Sequence, residues 1–216
     1  MTFGEYGEFL AAVERQKGAE AAKKHIPRTQ SEGLVTVRAE DGRWRQIPEG
    51  ITEPHRSRYL KDYGPDFMDR MPVIAVDWHD AAAYCAWKTL STGREWRLPT
   101  EEEREKAARG VDGRRFPWGD LEHASLGKCR DSRDEMPQPE PVGAFPSAAS
   151  IYGMADAAGN SWDWTASWHD ATRQARVLRG GGWLNPPSNL RCAFREAFAP
   201  MLRDSAGGLR CARSLP

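Results

Sequence analysis

The chain has 216 residues, 39% of them apolar, and its 31 Lys and Arg balance 31 Asp and Glu. That length fits one large domain or two small ones, and a net charge of zero provides no field that would draw the protein to nucleic acid or to an anionic membrane. No apolar run is long enough to span a bilayer, and the N-terminus lacks the apolar stretch of a signal peptide. The four cysteines, Cys85, Cys129, Cys192 and Cys211, form no CxxC pair, so a reduced, cytoplasmic protein is expected. One disulfide is compatible with that count, but its pairing cannot be read from the spacing.

Residues 2–17 read as a helix. Thr2 and Glu5 form a capping box, Tyr6, Phe9, Leu10 and Val13 share a face, and Gly18 ends it. Residues 26–70 are polar and rich in Pro, Gly and Arg. Within them 33–38 alternates like a short strand, and Asp41-Gly42 signals a turn. The β-branched run 72–77 predicts a buried strand. Asp80 is expected to cap a second helix carrying Ala83, Tyr84, Trp87 and Leu90, closed near Gly93. A third helix follows the Thr100–Glu103 capping box and stops at Gly110.

From about residue 111 helical periods disappear, and short strand-like pieces alternate with Gly, Pro, Asn and Asp turns. The expected fold class is α+β with segregated elements, a single domain over residues 1–216. With 9 Trp, 20 Gly and 15 Pro, large aromatic side chains are expected to build a core beneath irregular loops.

Several strings occur in an order and spacing that resemble one family. They are Pro72-Val-Ile-Ala-Val-Asp-Trp-His-Asp-Ala81, Trp96-Arg-Leu-Pro-Thr-Glu-Glu-Glu103, Phe116-Pro-Trp-Gly-Asp120, Tyr152-Gly-Met-Ala-Asp-Ala-Ala-Gly-Asn-Ser-Trp-Asp-Trp164, Arg176-Val-Leu-Arg-Gly-Gly-Gly-Trp183, Asn189-Leu-Arg-Cys-Ala-Phe-Arg195 and Gly207-Gly-Leu-Arg-Cys211. Together they resemble the formylglycine-generating-enzyme-like, or sulfatase-modifying-factor, family. The resemblance spans residues 3 to 213 and implies a C-type-lectin-like fold with two or three helices and a loop-rich antiparallel β region. Family members carry a strand before the first helix, so the resemblance implies that this chain lacks that strand or is a piece of a longer protein. The 3–25 and 111–146 stretches are most similar to copies fused to bacterial serine/threonine kinases, although no kinase motif is present.

The oxidases of the family hold copper through two cysteines, whose places fall here on Asn185 and Leu190. Neither side chain offers the soft thiolate that copper(I) requires, so no copper is expected. A sulfoxide-forming branch uses iron held by a His-xxx-His-x-Glu set. His25, His55, His79, His123 and His169 do not have that spacing, and no iron is expected. The resemblance also implies structural calcium, with oxygen ligands from Asp156, Gly159, Ser161 and Asp163. The competing reading is a core turn in which Asn160 bonds the backbone and Trp162 and Trp164 fill the core. A second calcium position would map to Ser125, Leu126, Asp134 and Met136.

Trp96, Trp118, Trp162, Trp164 and Trp183 read as scaffold. Arg179, Arg195 and Arg210 read as five-donor struts for irregular backbone. The 184–206 stretch corresponds to the end loops where such folds recognise ligands. Leu184, Asn185, Phe194, Glu196, Phe198, Met201, Leu202 and Asp204 are its candidate contacts, and five of these are apolar in a stretch with no regular period. The apolar members either face a partner or pack beneath the loops.

This stretch also resembles the variable region of proteins diversified by retroelements, a process that acts on asparagine codons and cannot produce Glu196 or Met201. The expected function is a non-catalytic ligand- or protein-binding module, as a sensory or interaction domain of a larger bacterial signalling protein or as a variable protein. Its partner would be an unidentified protein or small ligand, not nucleic acid or membrane. The alternative is a cysteine-independent oxidoreductase of the same superfamily.

Overall fold

The computed structural model describes residues 1–28, 34–38, 41–48, 53 and 55–214. Helix α1 (Phe3–Lys17) opens with the expected capping box: Glu5 N–H donates to Thr2 Oγ1 at 3.3 Å, and Thr2 N–H returns a bond to the Glu5 carboxylate at 3.0 Å. It buries Phe3, Tyr6, Phe9, Leu10 and Val13, and turns into the short helix α2 (Ala19–Lys23) at Gly18. Strands β1 (Leu34–Arg38) and β2 (Trp44–Pro48) form an antiparallel hairpin around Asp41-Gly42.

Helix α3 (His55–Tyr63) has no counterpart in the sequence reading. Only His55 and Tyr59 of its nine residues are buried, so no apolar period announces it. Tyr59 stacks near Phe67 and donates its hydroxyl to the Pro139 carbonyl at 2.8 Å.

Segment 72–77 is buried as expected, but it is not a strand. It makes isolated bridges only, Thr2 with Pro72 and Ile74 with Gly208, because Ala75 adopts a left-handed φ of 58° that breaks the extended run. A β-carbon at Gly208 would lie 2.6 Å from the Val73 carbonyl, so glycine there allows the two backbones to meet.

Helix α4 (Trp78–Thr92) is capped by Asp77, not Asp80. Asp77 accepts from Asp80 N–H at 2.8 Å, and Asp80 is the reciprocal partner of that capping box. Burial in α4 is confined to its first half, which leaves Leu90 86% exposed instead of on the core face. Helix α5 (Glu101–Arg109) follows the Thr100–Glu103 box and ends at Gly110 as expected.

Beyond residue 110 the described residues hold strands β3 (Trp162–Trp168), β4 (Arg176–Arg179), β5 (Arg195–Phe198) and β6 (Gly207–Leu209), with 3-10 turns and loops between them. The sheet order is β5-β4-β3-β6, antiparallel except for the parallel β3–β6 pair. This is the expected α+β arrangement. The main core joins the apolar face of α1 and the start of α4 to Trp162, Trp164, Leu178 and Leu209 of the sheet. Among the described residues no helix is long and apolar enough to cross a membrane.

Candidate functional site

The 155–163 loop carries three non-standard backbone positions within five residues: Asp156, Gly159 and Asn160 all have positive φ. At Gly159 a side chain is also excluded by space, since a β-carbon would lie 2.3 Å from the Lys128 carbonyl. Asn160 clasps the backbone of a single residue, accepting from Glu140 N–H at 3.1 Å and donating to Glu140 C=O at 2.9 Å. Trp162 and Trp164 then enter the core at 3% and 0% exposure. The core-turn reading of this segment therefore describes its geometry.

Asp163 is 2% exposed, and its Oδ2 accepts two bonds, from Arg104 Nε at 2.7 Å and from Arg210 Nε at 3.0 Å. Arg104 also donates to the Ala157 carbonyl at 2.9 Å, and Arg210 to those of Ala155 at 3.0 Å and Asp156 at 3.2 Å. Burial alone would raise the Asp163 pKa, but the charges of Arg210 and Arg104 outweigh it and hold the carboxyl below its usual value. Asp156 differs: burial pushes its carboxyl up, only partly opposed by the Gly143 N–H at 3.0 Å.

These residues do not fit calcium. The carboxylate that would bind it is already shared by two guanidiniums, which would repel a divalent ion brought to Asp163. Of the carbonyls expected to ligate, Gly159 accepts Ser161 N–H at 3.0 Å. At the second mapped position, His55 Nε2 bonds the Met136 carbonyl at 3.0 Å, Ser125 bonds His123, and Asp134 is exposed. Among the described residues no three His, Cys, Asp or Glu side chains converge as a metal-ligand set.

The copper positions are occupied by structural side chains. Asn185 Oδ1 accepts Gly182 N–H at 2.8 Å, and Leu190 is 1% exposed among Phe116, Cys129 and Ala158. Cys192 lies in a separate small cluster with Ala108 and Ala157, where burial pushes its thiol up to about 11.

The 184–206 stretch divides into packed and exposed side chains. Along β5, Glu196 and Phe198 fall at alternate positions and so share a face, and Phe194 immediately precedes the strand. Phe194 meets Trp162 at 5.9 Å between ring centroids, and Phe198 meets Trp164 at 6.4 Å. Both phenylalanines are half-buried on the core and Glu196 and Leu202 are half-buried too, whereas Leu184 is 42% and Met201 74% exposed. Asp204 is engaged locally, accepting Ala206 N–H at 2.8 Å. β5 pairs with β4 alone and lies at the sheet edge.

Two arginines hold the ends of this face. Arg179 donates to the Cys192 and Phe194 carbonyls, both at 3.3 Å, and pairs with Glu101 and Glu105. Arg203 reaches Asp80 at 2.6 Å and Asp77 at 3.1 Å, and donates to the Lys24 and Ile26 carbonyls, both at 3.1 Å. The strut role read for Arg179 and Arg210 is what these bonds describe, whereas Arg195 is exposed and bonds Glu101 at 3.0 Å and the His169 carbonyl at 3.4 Å. Arg203 and Arg104 carried no such signal, the only hint for Arg104 being buried Ala108 one turn further along α5. Of the five scaffold tryptophans, Trp162 and Trp164 are buried, while Trp96, Trp118 and Trp183 are half-buried.

Asp77 serves both α4 and Arg203, so Asp77→Ala is expected to cost about 1–2 kcal/mol, as for loss of a helix cap. A urea midpoint unchanged from wild type would contradict that double role.

An edge-stranded mixed sheet flanked by helices, with loops gathered over a tryptophan floor, defines a C-type-lectin-like domain. The chain belongs to the family of sulfatase-modifying factor enzyme 1-like domains, whose pattern matches residues 1–215. It is similar to the inactive C-alpha-formylglycine-generating enzyme 2 of Mus musculus, 39% identical over 159 residues covering 67% of this chain and 49% of that protein. It is also similar to the hercynine oxygenase of Mycolicibacterium smegmatis, 38% identical over 166 residues covering 65% of this chain and 37% of that protein. The chain thus spans about half the length, or less, of these curated relatives. In fold it is similar to Treponema denticola variable protein 1, with a TM-score of 0.63 at 18% identity, covering 84% of this chain and 92% of that one.

Proposed function

We infer that this chain is a non-catalytic binding module whose contact surface centres on the exposed Leu184 and Met201, with the half-buried Phe194, Glu196, Phe198 and Leu202 in the same stretch. The observation that carries this reading is the state of the copper positions: Asn185 is spent on Gly182 N–H and Leu190 is buried, while the adjacent loop holds Leu184 and Met201 out to solvent. Exposed apolar side chains on an anchored backbone suit recognition, because burying them against a partner is favourable and little loop entropy is lost on binding. Likeness to an inactive family member supports the same reading. A sensory or interaction domain within a larger signalling protein is the setting that such a module suits.

The test uses a random peptide library selected against the wild type and against Leu184→Ser/Met201→Ser. Both positions are exposed, so the pair is expected to alter stability by no more than about 0.5 kcal/mol per site. Peptides enriched on the wild type should lose binding to the variant; peptides that bind both equally would place recognition elsewhere.

A second reading, an oxidoreductase, is favoured by the likeness to hercynine oxygenase. It is tested by oxygen uptake with hercynine, cysteine and iron(II), and with a cysteine peptide and copper. The binding-module reading expects no uptake above the protein-free rate, and steady turnover in either assay would replace it.

A further inference from the structure

We propose that Arg104 and Arg210 are the built-in counter-cations of the 155–163 loop and do the work there that a bound calcium ion would otherwise do. The charge count is the first support. Two guanidiniums bond Asp163, and the charge of Arg210 also reaches Asp156, so the pair brings the two positive charges that a divalent ion would, with the Met1 ammonium a further cation acting on both carboxylates.

The bonding is the second support. Each guanidinium spans the loop, with Nε on Asp163 and Nη2 on a carbonyl: Ala157 for Arg104, Ala155 and Asp156 for Arg210. The Asp163 carboxylate, the acceptor an ion at this loop would need most, is held instead by planar, directional donors that remain charged at every physiological pH and that also take the carbonyls of residues 155, 156 and 157. Space is the third support. A β-carbon at Gly180, where φ is 102°, would lie 2.6 Å from Arg104 Nη2, so a glycine leaves the room that the guanidinium fills.

The two arginines also reach further than an ion can. Arg104 belongs to α5 and Arg210 follows β6, so the loop is tied to a helix and to a strand by covalently attached cations. Its order is therefore independent of the calcium concentration around the protein. The tryptophans that floor the binding face, Trp162 and Trp164, leave this loop directly.

The experiment uses wild-type protein, Arg104→Gln and Arg210→Gln. Thermal melts are run in calcium and in EGTA, alongside titration with terbium(III), whose emission Trp162 and Trp164 would sensitise if the ion bound at this loop. The wild type should melt identically in calcium and EGTA and show no saturable terbium emission. Each variant should melt roughly 6–20 °C lower, the shift that corresponds to breaking a buried ion pair in a domain of this size. A wild-type melting temperature that rises with calcium, or saturable one-to-one terbium emission, overturns the proposal whether or not the variants fold. Variants that melt with the wild type overturn it as well, since the guanidiniums would then hold nothing. If Arg104→Gln, the more deeply buried change, cannot be isolated folded, Arg210→Gln and the wild-type titration decide the matter.

Discussion

Mild oxidation with diamide is expected to join Cys85 to Cys211 and to raise the stability of the domain more than any single change proposed for this chain. The two sulfurs lie 3.5 Å apart, one on α4 and the other just after β6. A disulfide needs about 2.05 Å, so the approach is short. The pair is already polarised. The thiols share a hydrogen bond in which either can donate; it pushes Cys85 up and pulls Cys211 down, with the Lys88 ammonium helping to lower Cys211. Cys211 is the half-exposed member and thus the thiolate that meets the reagent. The bond would close a loop across 126 positions, for which the chain-entropy argument gives a ceiling of about 4–5 kcal/mol. Two of the four thiols should vanish from a denatured thiol count, and the melting temperature should rise. Cys85→Ser should abolish both effects. A count that stays at four, or a bond formed without any gain in melting temperature, would show that the two positions cannot be joined in the native fold.

Loss of the Glu140 charge is expected to cost nearly as much. Glu140 is fully buried and accepts from Arg133 at 3.0 and 3.2 Å, Arg58 at 3.4 Å and the Tyr63 hydroxyl at 2.6 Å, with Lys128 Nζ 3.9 Å away. Lys128 is 2% exposed and, among the described residues, otherwise has the Ser132 hydroxyl at 3.2 Å. Glu140→Gln leaves that ammonium in the interior without its anion, a change that costs about 3–5 kcal/mol for a buried pair. The lower end is expected because Arg133 is half-exposed and can turn to water.

The pH dependence has a definite sign. Burial would raise the Glu140 pKa, but hydrogen bonds from Arg133 and Tyr63 outweigh it, so the folded value lies below the ordinary one. The stabilisation is therefore fully present above the unfolded glutamate value of about 4.3 and is lost as pH falls through the lower folded value. Urea midpoints at pH 7 should separate wild type from Glu140→Gln clearly, and the gap should narrow below about pH 4. A gap that stays constant down to pH 3 would mean that the charge of Glu140 is not what stabilises this cluster.

The helices with local signals were legible in the sequence. The capping boxes of α1 and α5 are complete within four residues, and the glycines that end them are adjacent to them. Helix α3 was not, since it buries only two residues and is held by a tyrosine bonded to a carbonyl 80 positions away. The 72–77 run was correctly placed in the interior, yet its backbone form depends on one left-handed alanine that no periodicity encodes. The same limit governed the loop at 155–163. Its turn and its tryptophans were readable from the string itself, but the partners of Asp163 stand 59 and 47 positions away, on α5 and beyond β6. Position within a family string suggested calcium; only the fold brings two guanidiniums to that carboxylate.

The anchoring of the 192–206 segment bears on how much its sequence can change. Arg179 fixes the entry through two carbonyls, Arg203 fixes the exit through two carboxylates and two carbonyls, and β5 between them is held to β4 by main-chain pairing. None of those bonds consults the exposed side chains at Leu184 or Met201. If this face binds a partner as proposed, its recognition positions at Leu184 and Met201 are separate from those anchors. Natural drift or deliberate randomisation can then rewrite them without disturbing the bonds that hold the segment.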